Sequence, residues 1–82
     1  MHYQCHQINE TNINGQFIFT DDETFVVDQK YLDNCIDKQT IRFFENIGGS
    51  EEIIVTGNET KIISICPMNL HKTIRHFTMI NE

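Results

Sequence analysis

The sequence predicts an α+β domain: an antiparallel sheet of five to six strands in two hairpin units, with one helix starting near Asp28 packed on one face. Three observations carry this. β-branched residues number twenty-four (thirteen Ile, three Val, eight Thr) against two Leu and no Ala, and such side chains lose χ1 freedom in a helix but pack well on a pleated surface. Asn14-Gly15 and Gly57-Asn58 are two-residue turn signals between strand-like runs. Asp28 suits a helix N-cap, and Tyr31, Leu32, Cys35 and Ile36 follow it at helical spacing. At 82 residues and 9.6 kDa, residues 1–82 make a single small domain that buries roughly 60% of its unfolded surface, too little for a large cleft with its own lid.

His2–Ile8 reads as the opening strand, with Tyr3 and Cys5 sharing a face. Gln16–Thr20 and Thr24–Val27 follow as short aromatic and β-branched runs around Asp21-Asp22-Glu23, so the first third reads as a three-stranded meander with an acidic hairpin tip. From Asp28 the stripe Leu32, Ile36, Thr40, Phe43, Ile47 allows one helix to about residue 47, closed by Gly48. The strand-like content of 40–45 equally allows a short helix followed by a strand. Glu51–Thr56 and Glu59–Cys66 form the second hairpin, and Pro67 ends it because it has no N–H for a ladder. Thr73–Ile80 holds few strong helix formers and reads as a last strand. As an edge strand it would alternate Arg75, Phe77 and Met79 outward, a surface suited to homodimer formation or to augmentation by a partner.

Charge narrows the function classes. Twelve acids against six bases leave net −6, unfavourable for a phosphate-backbone binder, so nucleic acid is not the expected partner. The polarity runs along the chain: residues 1–29 hold five acids and no base, whereas 61–82 hold Lys61, Lys72 and Arg75 against Glu82. The acids of Asp21, Asp22 and Glu23 are therefore candidates for steering a basic protein partner, with Lys72, Arg75 and Phe77 as the contact on the last strand. Apolar runs never exceed three residues, so neither a membrane span nor a secretory leader is expected. With an odd number of cysteines, this points to reduced thiols in the cytoplasm, Cys35 and Cys66 being the ones expected to be buried.

Chemical motifs are weak. Cys5, His6, Cys66, His71 and His76 lack the spacing of a metal knuckle, so no metal or cofactor is expected. Cys66 with His71 or His76 sketches a nucleophile–base pair, but Cys66 also completes a strand alternation. The adjacent carboxylates lack the burial that would raise one pKa for acid–base work, and Gly48-Gly49-Ser50 lacks a phosphate-loop frame. The expectation is a small acidic, non-enzymatic protein that binds another macromolecule, of the inhibitor, immunity, antitoxin or viral accessory type. The alternative is a small nucleic-acid- or metal-binding module, and an enzyme is the least favoured class.

Overall fold

The structure, a computed structural model, describes residues 1–81. Strand β1 (His2–Ile13) pairs with β2 (Gln16–Asp28), followed by helices α1 (Gln29–Cys35) and α2 (Lys38–Asn46). A second hairpin, β3 (Ser50–Thr56) and β4 (Glu59–Ile65), leads through a short turn at Pro67–Asn69 into β5 (His71–Met79). All pairings are antiparallel, in the order β2-β1-β5-β4-β3. The α+β class therefore holds, with five strands.

Turn chemistry sets both hairpins. Asn14 (φ 54°) and Gly15 (φ 86°) are both left-handed, the type I′ geometry whose twist matches that of paired strands. This turn starts a register that runs from Ile13↔Gln16 to His2↔Asp28, with one irregularity where Thr20 is left opposite no residue of β1. Asp21, Asp22 and Glu23 consequently lie in the middle of β2 and not at a hairpin tip, and the expected three-stranded meander is one long hairpin. A charged strand survives here because β2 is an edge, where acids reach water.

The expected single helix is two. Asp28 caps α1 by accepting from the Tyr31 amide at 2.9 Å. Asp37, in extended conformation, caps α2 by accepting from the Thr40 amide at 3.1 Å. This second cap restarts the helix on another heading, so residues 36 and 43 end up exposed while Ile41 and Phe44 turn inward. Residues 40–45 are helical, which also overturns the strand alternative. Gly49 closes the passage into β3, and a side chain there would strike the Phe44 ring.

The last strand is not an edge. β5 lies between β1 and β4, joining the two hairpins, with Phe77 opposite Cys5 on one side and Thr60 on the other. Phe77 is 0% exposed and belongs with Tyr3, Cys5, Val27, Leu32 and Ile62 to the core beneath α1. Both edges of β5 are thereby occupied, so the homodimer expected through it as an edge strand has no free edge there to use. Cys5 is the fully buried thiol, while Cys35 and Cys66 are only partly covered. The chain keeps 5629 Å² accessible, about a tenth above the norm for its mass.

Candidate functional site

The core sits at the end of the sheet where β1 begins and β2 ends, and this decides what is left uncovered. Register places Tyr3, Cys5, Phe25, Val27, Phe77 and Ile62 on one face, and Leu32 of α1 joins them. Towards the other end, β1 and β2 continue to their turn as an arm that the core does not reach. The arm exposes Ile13, Ile18 and Phe19 (59%). Beside it lies the turn before β5, tied to the arm by the Asn12 amide, which donates to the Leu70 carbonyl at 2.8 Å. That turn exposes Leu70 and Met68 (83%). Met68 (φ 68°) and Asn69 (φ 55°) are consecutive non-glycine residues in the left-handed region, a conformation that costs energy and that persists where neighbours enforce it. Pro67 at the head of the turn and the Asn69 amide on the Cys66 carbonyl at 3.0 Å hold it. The result is one end of the molecule with five large apolar side chains facing water.

The residues singled out from the sequence are dispersed by the fold. Asp21 and Asp22 are held along the arm: Asn9 Nδ2 donates to Asp21 at 2.7 Å, and His6 Nε2 lies 2.9 Å from Asp22 Oδ2. Glu23 is exposed beside them. Lys72 stands 3.9 Å from Glu10 and 5.5 Å from the centre of the Phe17 ring, at the base of the apolar end. A groove of about 300 Å³ there is lined by Asp21, Thr20, Cys66, His71 and Lys72, among others. Arg75 is on the helix-covered face, where its Nε donates to Gln7 at 3.1 Å. Phe77 is inside. The three acids and Lys72 thus flank the arm, whereas Arg75 and Phe77 have no part in it.

Arg75 instead helps line a cavity of about 290 Å³ between helices and sheet, with Tyr31, Cys35, Thr40 and Glu51 among its walls. Ser64 Oγ donates to one Glu51 oxygen at 3.1 Å. The Cys35 thiol is pushed up by burial, which Arg75 opposes and Glu51 reinforces. Burial likewise pushes Cys5 up to about 11, against the opposing field of Arg75. A thiol held protonated is a poor nucleophile and a poor metal ligand. Cys66 and His71 are joined through their backbones, amide to carbonyl at 2.8 Å, which is the strand-end role. His6 and His76 are cross-strand neighbours, each beside a carboxylate (Asp22 at 2.9 Å, Glu59 at 3.7 Å). Among the described residues, no three His, Cys, Asp or Glu side chains are grouped to hold a metal ion, and no helix is long and apolar enough to cross a membrane.

The apolar end has only a partial signature in the sequence. Gln16–Thr20 carries the visible signal, an aromatic and β-branched run, but such a run reads as buried strand unless one knows that the core stops short of it. No family model, curated protein or solved structure matches this chain.

Proposed function

We propose that this protein acts without catalysis by binding another protein, and that the distal end of the β1–β2 arm is its docking surface. The observation that carries the reading is that Ile13, Ile18, Phe19, Met68 and Leu70 are all exposed at one end, Ile13 and Ile18 on one face of the arm and Phe19 on the other, with Asp21, Asp22 and Glu23 beside them on β2. Exposed apolar groups rimmed by charge mark interaction sites, and aromatic and methionine side chains are favoured in them. The acids call for a partner with an apolar cleft and a basic rim, and the net charge of −6 would speed that encounter. Three free thiols suit a reducing compartment such as the cytoplasm.

The test separates contact from steering. Phe19→Asp and Met68→Asp each put a charge into the docking face. They are expected to weaken partner affinity at least about tenfold, mainly through faster dissociation. Replacing Asp21, Asp22 and Glu23 together by Ala is expected to slow association and to flatten its salt dependence, leaving dissociation nearly unchanged. Surface plasmon resonance on a partner co-purified with the wild-type chain reads both rates. Equal binding by all variants refutes the reading. Loss of a nucleic acid partner on Lys72→Ala, with the Phe19 change silent, would favour the nucleic-acid alternative.

A further inference from the structure

We propose that β3 is a self-pairing edge, along which two copies of this chain join antiparallel about Ile54 into a closed dimer with one continuous sheet. The surface differs from the arm and does not depend on it. The two edges of the sheet are β2 and β3, and they are unequal. β2 carries three consecutive acids at mid-length next to a register irregularity, devices that keep an edge from pairing. β3 has Ile53, Ile54 (42% exposed) and Val55 (68% exposed) at its centre and no charge beyond Glu52. Its two-residue loop closes on Thr56↔Glu59. Thr56, Ile54 and Glu52 therefore turn their backbone groups to β4, and Val55, Ile53 and Glu51 turn theirs outward.

The occupant follows from the pattern, which is its own complement. Aligned antiparallel about Ile54, the two copies set Ile54 against Ile54, Ile53 against Val55, and Glu52 against Thr56. Apolar meets apolar at the three central pairs, Thr56 flanks Glu52 at each end, and the carboxylates of the two copies lie at opposite ends. A parallel in-register pair would instead stack Glu51 and Glu52 on their own copies, which is unfavourable. With one open edge per chain and a two-fold axis, assembly stops at the dimer.

Sedimentation velocity from micromolar concentration upward reads the mass. The expected value is twice the 9.6 kDa of the chain. Ile54→Lys faces two ammonium groups across the axis and is expected to give monomer, whereas Asp22→Ala on the other edge is expected to leave the dimer. Register is read by cysteine placement with Cys35→Ser and Cys66→Ser as background. Ile54→Cys is expected to form a symmetric disulfide on mild oxidation, because a non-hydrogen-bonded pair brings the Cα atoms to about 4.5 Å. Glu52→Cys is expected to stay reduced, and this pair decides the matter should Ile54→Lys not fold. A wild type that stays monomeric, a dimer indifferent to Ile54→Lys, or preferential crosslinking at position 52 would each overturn the proposal. Arm variants leave all these readouts untouched, so failure here is distinct from failure of the docking surface.

Discussion

Phe77 and Phe19 are the same side chain in opposite surroundings, and their truncation separates core from surface. Phe77 is 0% exposed and packs in a core that, among the described residues, holds six buried apolar side chains. Phe77→Ala is expected to cost about 3–5 kcal/mol through lost transfer energy and the cavity left behind, enough to unfold a domain of this size. Phe19→Ala is expected to move stability by less than about 0.5 kcal/mol, as an exposed substitution does. Urea denaturation of both variants checks this, and a mild effect at Phe77 would remove it from the core. The alternation in His2–Ile8 correctly put Tyr3 and Cys5 on one face, because a strand's period is a local property. Phe77 reads as exposed from its strand and is buried in the fold because alternation says which residues share a face, not which strands flank them. Arg75 failed for the same reason: it lies two residues from Phe77 on the covered face, bonded to Gln7.

At the scale of elements, the turns were the most legible features. Asn14-Gly15 and Gly57-Asn58 close their hairpins with the two-residue loops their residue types require. What hides the break between α1 and α2 is the continuous stripe Leu32, Ile36, Thr40, Phe43, Ile47, which fits one helix well. The overlooked signal was Asp37, three residues before Thr40: its carboxylate accepts from both the Thr40 amide and the Thr40 hydroxyl, at 3.1 and 3.2 Å. Asp37→Ala is expected to destabilise the protein by about 1 kcal/mol and to speed hydrogen exchange at Thr40, with α1 unaffected. Hydrogen exchange read by NMR decides this, since loss of protection in both helices would mean that they behave as one unit. The acids of β2 read as a tip and lie mid-strand for a related reason. Three charged residues in a row read as a turn, and only the register counted back from Asn14-Gly15 shows that the strand passes through them.

For the whole molecule, the decisive property is the mismatch between sheet and helices. A thirteen-residue β2 spans about 43 Å at the usual rise of a strand, matching the longest dimension of 44 Å, while the core occupies only the end near Tyr3 and Val27. The surplus strand becomes the arm. The sequence held its composition and its acidic flank, but the length of sheet left bare depends on where the core ends, which no local pattern encodes. The docking claim is tested most directly by site-specific photo-crosslinking in cells that make the protein, with a photoreactive phenylalanine analogue at position 19, at position 43 on α2, and at position 26 on the other end of β2. All three positions are exposed, so each tolerates the probe. The expected result is one crosslinked protein species from position 19, lost when Met68→Asp is added, and none from positions 43 and 26. Capture of a partner from position 43 or 26, with position 19 silent, would contradict the assignment of the arm as the docking surface.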